Sequence, residues 1–335
     1  MFKILLNPGP TNTSFFTKLR QWIGSDVCHR TSEFQEELHK LQKELLHMFS
    51  GTDDIHLTTD IAIMGGSGTT ALDSMISSLL PDNVTIINAG KYGERAVSIC
   101  ETYGIKYKVV KSKNILDLEY DEKVKNLYFV ENETTTGERY SIDKVSKVYP
   151  NANFFIDSTS AFGASYYEAH IDRIKALSFC SNKCLQSTPG LGMVIWKKDQ
   201  KLYKRSFYGN LRKYGIGKMP FTVPVQSVYA LREAIKKNQG MKNKKIFDNR
   251  STRLVSNLRD MGIKCITRNP SNSIIAFRHP HMSYEKLRDF LEKRSIVIYS
   301  GVPGVENSFR VSTMSRKFDC KYGKIIGAFR DSCVH

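Results

Sequence analysis

This sequence has little that would mark it for export, for a membrane or for a metal. Its seven cysteines are scattered over 335 residues, odd in number and without a CxxC pair, which argues for free thiols in a reducing compartment. Cys180 and Cys184 lie on either side of Lys183, but a zinc site would need two more ligands at workable spacing. His279 and His281 surround Pro280 in a turn and are expected at the surface, so no metal is expected. No apolar run is long enough to span a bilayer. The opening MFKILLNPGP, with one lysine and a very short apolar stretch, lacks the form of a signal peptide. A cytoplasmic protein is the expectation.

Acidic residues are also scarce, 33 against 50 basic ones, for a formal net charge of +17. Such a charge suits nucleic-acid or membrane binding, or a field that draws in anionic substrates. The densest cluster, Lys236, Lys237, Lys242, Lys244 and Lys245, has no interleaved aromatic platform and no nucleic-acid motif beside it. A basic solvated surface is the simpler reading, and neither nucleic acid nor membrane is an expected partner. A non-catalytic basic binding protein would have only this charge behind it. Hydrophobic residues at 41% and charged ones at 25% are ordinary for a globular chain, and the length suggests two domains.

What the sequence does have is concentrated in residues 153–192. One apolar run ends in Asp157, and a second ends just before Lys183. A carboxylate at one strand end and a lysine just past another, each followed by a Gly/Ser/Thr-rich turn, is the layout of a pyridoxal phosphate site. A lysine can hold that cofactor's aldehyde as a Schiff base, and a carboxylate keeps the pyridine nitrogen protonated so that the ring accepts electrons.

The rest of the chain is consistent with a strand-and-helix scaffold around that pair. Apolar positions Phe34, Leu38, Leu41, Leu45 and Met48 recur at helical spacing over 33–49, with Ser32 as the expected cap and Gln35 in the capping-box position. A strand at 61–64 runs into Gly65-Gly66-Ser67-Gly68-Thr69-Thr70 and then an apolar helix. Free N–H groups and the helix dipole converge at such a turn and suit an anion. No lysine follows its last glycine, so it is not a Walker A loop, and it is not GxGxxG. Further strands are expected at 84–88, 107–110, 126–130, 154–156 and 177–180, with an antiparallel return at 192–196. Toward the C-terminus, strands are expected at 274–277, 297–299 and 308–312. The last carries Arg310, a fork-shaped donor suited to a carboxylate or phosphonate, on what is read as an edge strand.

Taken together and in order, LLNPGP, CHRTSEF, FFIDSTSAFGA, SFCSNKCLQSTPGLGMVIW and the FRV around Arg310 resemble the class V, fold-type-I pyridoxal-phosphate aminotransferases. ETTTG and NKCLQ-x-x-PG resemble the 2-aminoethylphosphonate:pyruvate branch; CHRTSEF leans toward the alanine/serine–glyoxylate branch. The resemblance implies an α/β fold with a large, mostly parallel-sheet domain (15–225) and a smaller α/β domain (1–14 and 226–335). It assigns Lys183 and Asp157 to catalysis and Ser67, Gly68 and Thr69 to the cofactor phosphate, with Ser181 and Asn182 as further candidates. Tyr92 would stack on the pyridine ring, Thr159 would close the opposite face, and Thr134 would lie near the ring hydroxyl. Arg310 would hold the substrate anion. Thr222 would reach the phosphate in another subunit, which implies a homodimer. Cysteine desulfurases of the same fold carry histidines where this chain has Tyr92 and Asn182, which argues against desulfuration. The implied reaction moves an amino group between an anionic amine, 2-aminoethylphosphonate, and a 2-oxo acid, pyruvate.

Overall fold

The computed structural model describes residues 3–23, 26–236 and 240–334; Lys237 of the basic cluster lies outside them. The N-terminal part contains β1 (Ile4–Leu5), α1 (Phe15–Trp22) and α2 (Ser32–Ser50), followed by β2 (Thr59–Gly66) and α3 (Gly68–Leu79). Then come β3 (Val84–Asn88), α4 (Lys91–Thr102), β4 (Tyr107–Lys111), β5 (Asn126–Val130) and a small hairpin, β6 (Asn132–Glu133) with β7 (Glu138–Arg139). After α5 (Ile142–Val148), strands β8 (Asn153–Asp157), β9 (Ile174–Cys180) and β10 (Gly190–Lys197) complete the first sheet.

That sheet has seven strands in the order β2-β10-β9-β8-β5-β3-β4. Its pairings are parallel except for β10, which runs antiparallel to both β2 and β9. The expected antiparallel return is therefore present. Phe129, Phe154, Ile156, Leu177 and Phe179 are all buried, the near-continuous apolar pattern of strands covered on both faces. Because β2, β3, β5, β8 and β9 share one direction, their C-terminal ends open onto one edge, where ligands bind in open α/β sheets.

Helix α2 buries Phe34, Leu38, Leu41 and Leu45 on one stripe and stops at Gly51, which takes a left-handed φ of 74°. Its cap is Thr31, not Ser32. Thr31 keeps an extended backbone and its hydroxyl accepts the Phe34 N–H at 3.5 Å, while Ser32 is already helical. Gln35 instead donates to the carbonyl of His29 at 2.7 Å.

The C-terminal part begins with α6 (Val225–Ile235) and α7 (Gly240–Arg259). It continues through β11 (Lys264–Cys265), β12 (Ile274–Arg278), α8 (Tyr284–Lys293), β13 (Ile296–Val297), β14 (Tyr299–Ser300), β15 (Ser308–Ser312) and α9 (Tyr322–Ser332). A four-stranded antiparallel sheet runs β11-β12-β15-β14, and Leu254, Leu258, Leu287, Leu291, Ile325 and Phe329 pack with it in one core cluster. The N-terminal strand joins this layer, since Ile4 and Leu5 pair in parallel with Ile296 and Val297.

Three expectations are corrected here. The single strand expected at 297–299 is broken at Ile298, with β13 facing β1 and β14 facing β15. Strand β15 lies between β12 and β14, so Arg310 is not on an edge; it is only 5% exposed. His279 is buried, 1% exposed, because α9 packs over the turn that carries it and Ser332 hydrogen-bonds its Nε2 at 3.2 Å.

Candidate active site

Strand ends and helix starts deliver the site. Strand β8 ends in Asp157, and the chain leaves β9 at Cys180 to place Asn182 and Lys183 in the following turn. Strand β2 turns at Gly66-Ser67 into α3, and β3 turns at Gly90 into α4, whose first turn carries Tyr92. These elements enclose a cavity of about 180 Å3 lined by Ser67, Gly68, Thr69, Leu72, Tyr92, Arg95, Asp157, Thr159, Cys180, Asn182 and Lys183. Eight residues singled out in the sequence meet there. Thr134, Ser181, Thr222 and Arg310 do not line it.

Asp157 is 3% exposed, and its Oδ1 accepts the N–H of Thr159 at 2.9 Å. Burial pushes its carboxyl up, and the Thr159 hydrogen bonds and the charges of Arg95 and Lys183 pull it back. A protonated ring nitrogen is the kind of partner a buried carboxylate lacks. The Lys183 Nζ donates to the carbonyl of Pro8 at 2.5 Å, so the Asn7-Pro8-Gly9-Pro10 turn closes one side of the site.

The start of α3 is a reciprocal cap. Ser67 Oγ accepts the Thr69 N–H at 3.2 Å, and Thr70 Oγ1 accepts the Ser67 N–H at 3.1 Å. A Cβ on Gly68 would stand 2.9 Å from Thr159 Cγ2, so glycine lets this helix start approach the far wall. Hydroxyls, N–H groups and a helix N-terminus form a donor set that fits a phosphate. Buried Asp157, the Tyr92 ring and Lys183 fit the rest of a pyridoxal phosphate molecule.

The walls are supported from behind. Glu133, buried, accepts the Tyr92 N–H at 3.1 Å and the Thr135 N–H and hydroxyl at 3.1 and 2.5 Å. Burial pushes its carboxyl up. Glu131 accepts from the hydroxyls of Ser158 at 2.8 Å and Tyr167 at 3.1 Å, fixing the residue after Asp157. Ser181 is turned into its own loop, its hydroxyl donating to the Thr188 carbonyl at 2.6 Å. Thr222 lies outside the cavity, with its carbonyl 3.7 Å from the Cβ position of Gly65.

Arg310 reaches across from β15 to the β6–β7 hairpin. Its Nη1 donates to the Thr134 carbonyl at 2.5 Å and its Nε to the Ser300 carbonyl at 2.6 Å, and Tyr299 lies under its guanidinium at 4.9 Å. Burial disfavours its charge, which an anion would relieve. The Cys180 thiol, pushed up to about 11 by burial, stays protonated near neutrality and donates to Asn182 Oδ1 at 3.1 Å. Among the described residues, all seven cysteines are free and no cluster of three or more His, Cys, Asp or Glu is placed to hold a metal.

Sequence reasoning missed Arg95, Leu72 and Cys180 as lining residues. Arg95 and Leu72 were legible in principle, because each lies one helical turn past a predicted residue and so shares its face.

Residues 96–318 match the family model described as aminotransferase class-V. A 2-aminoethylphosphonate–pyruvate transaminase from Bacillus cereus (strain AH187) is 26% identical, over 99% of this chain and 98% of its own length. Among solved structures, an aspartate aminotransferase of subgroup IV from Thermus thermophilus superposes with a TM-score of 0.86 at 21% identity, covering 98% of this chain and 99% of that one. An alanine–glyoxylate aminotransferase from Nostoc sp. superposes with the same TM-score at 18% identity, covering 100% and 96%.

Proposed function

Since the chain belongs to the class-V aminotransferase family and has its fold-type-I architecture, we propose that it is a pyridoxal-phosphate transaminase acting between 2-aminoethylphosphonate and pyruvate. The observation that carries the cofactor reading is the convergence of Lys183, Asp157, Tyr92 and the Ser67-Gly68-Thr69 turn on one cavity. The substrate reading draws on the ETTTG and NKCLQ-x-x-PG segments and on the relative from Bacillus cereus. When bound, the cofactor supplies an aldehyde for the amine and a ring that accepts the electrons left on carbon.

Each side chain then has a task. Lys183 would hold the aldehyde carbon and, as a free amine, would take the proton from the substrate carbon as general base and deliver it to the cofactor's carbon as general acid. Asp157 keeps the ring nitrogen protonated, its buried charge matched by that proton. Tyr92 offers a flat, rigid face to the ring, and Thr159 closes the other. Asn182 would hold a polar edge of the phosphate, while Thr134, which does not line the cavity, acts through its carbonyl in holding Arg310. Arg310 receives the phosphonate of one substrate and the carboxylate of the other in turn. Thr222 reaches the phosphate site of a second copy, so the working unit is a homodimer.

A single-donor experiment tests the substrate. Cofactor-loaded protein is mixed with one amine and no acceptor, and its visible absorbance is followed. Fast loss of the yellow form with 2-aminoethylphosphonate, and with alanine as the reverse donor, is expected. Fast reaction with serine or alanine but none with the phosphonate would transfer the assignment to the alanine/serine–glyoxylate reaction.

A further inference from the structure

Arg95 stands three residues after Tyr92 in the first turns of α4. Its guanidinium carbon lies 4.9 Å from the centre of the Tyr92 ring, and its Nη1 donates to Thr69 Oγ1 at 3.0 Å. One side chain therefore ties together two elements that reach the cavity separately. Thr69 belongs to the turn that caps α3, and Tyr92 to the start of α4. Arg95 also lines the cavity itself and has no ion-pair partner among the described residues, whereas the arginines on α6, α7 and α8 do.

The geometry matches what a guanidinium does better than an ammonium. Its flat face can lie on an aromatic ring while its edge still donates in a fixed direction. A charge beside the α3 N-terminus adds to the helix dipole in attracting an anion. Neither role stabilises the fold much, because Arg95 and Thr69 are both exposed and a surface contact of this kind contributes little on its own.

We propose that Arg95 is a positioning residue for the phosphate-bearing cofactor: it holds the Tyr92 ring and the Thr69 hydroxyl in one orientation and sets an unpaired positive charge beside the phosphate cradle. The inference rests on reading the cavity as a pyridoxal phosphate site. It adds a second cation, besides Lys183, to a pocket whose buried acid is Asp157.

The test uses the cofactor-free full chain and two probes, pyridoxal phosphate and pyridoxal, with dissociation constants measured by equilibrium dialysis. In Arg95→Ala, pyridoxal phosphate should bind about tenfold more weakly, the loss of one charge-assisted contact, and pyridoxal should lose distinctly less. Arg95→Lys should recover part of the phosphate-dependent loss, because the charge remains, but not the loss shared by both probes, because the fork is gone. A purely structural role would weaken both probes equally in both variants and lower the melting temperature of the cofactor-free chain. Either that pattern, or Arg95→Ala binding pyridoxal phosphate within twofold of wild type, overturns the inference and leaves the cofactor reading intact. A wild-type chain that takes up neither probe overturns both.

Discussion

Gly9 is where the N-terminal turn comes closest to the chemistry. Its φ is +129°, and a Cβ there would lie 2.8 Å from Lys183 Cδ and 3.0 Å from Nζ. Alanine at this position is strained by its backbone and also pushes the Lys183 side chain from its place beside the Pro8 carbonyl. Gly9→Ala should fold, because the clash is with the end of a flexible side chain, but its turnover should drop by about tenfold or more, as misplacement of a reacting group by a fraction of an ångström does. Steady-state rates beside a circular-dichroism spectrum check this, and near-normal turnover would mean that the turn does not confine Lys183. Arg310 offers a complementary test. Its guanidinium already donates to two carbonyls, that of Thr134 in the β6–β7 turn and that of Ser300 on β14, a fork that lysine cannot reproduce. Arg310→Lys should raise KM for an anionic amine about tenfold or more with a smaller change in kcat. At this scale Asp157 and Lys183 were legible, because a strand end followed by a small-residue turn is a local pattern. The support from Glu133 was not, since it depends on a hydrogen bond to Tyr92, 41 residues away in sequence.

Elements were legible where their signal was periodic and illegible where a distant element decided. Helix α2 and strands β3, β5 and β15 follow directly from apolar spacing, whereas the burial of His279 depends on α9, more than fifty residues later. That burial has a consequence for the whole β12–α8 corner. The Nδ1 of His279 accepts the N–H groups of His281 at 3.2 Å and Met282 at 2.9 Å, so the ring is neutral and fixes the turn into α8. Burial and the neighbouring His281 lower its pKa from the usual 6.5 to about 4. The unfolded chain then binds the proton more readily than the folded one, so the stabilisation is complete above about pH 6.5 and is lost as pH falls toward 4. His279→Asn keeps a side-chain acceptor for the turn but does not titrate. The melting temperature of wild type minus that of this variant should shrink between pH 7 and pH 5 by a few degrees; a constant difference would show that His279 does not titrate in this range. Arg173 secures a second corner. It donates to the carbonyls of Ala152 at 3.0 Å, Ser146 at 3.3 Å and Tyr149, and lies 4.3 Å over the Phe154 ring, closing the C-terminal end of α5 onto β8. Arg173→Ala should cost about 2 kcal/mol in chemical denaturation, for two or three charge-assisted bonds to carbonyls left without them.

The whole molecule is where the sequence said least, because assembly depends on surfaces that no local pattern specifies. The single chain leaves Phe15, Trp22 and Phe207 at 71%, 84% and 78% exposure, and Tyr208 and Phe221 stack at 5.0 Å beside Thr222. Apolar surface of this extent favours association, and its Phe207–Tyr208 part packs on Phe221, next to Thr222, which does not line the candidate site of its own chain. If Thr222 completes the phosphate site of a second copy, two defective chains can repair each other. Lys183→Ala removes the lysine from a site, and Thr222→Ala removes the borrowed hydroxyl. A hybrid dimer then has one site with Lys183 from the second variant and Thr222 from the first, which is complete, and one site that lacks both. With random pairing in a twofold-symmetric dimer, half the molecules are hybrids and each has one good site, so activity should return to about a quarter of wild type. The measurement is turnover after the two variants are unfolded together and refolded, against each refolded alone. If Thr222 served its own chain instead, every site in the mixture would lack Lys183 or Thr222. Activity would then be no more than the average of the two separate variants, and the shared-site homodimer would fall.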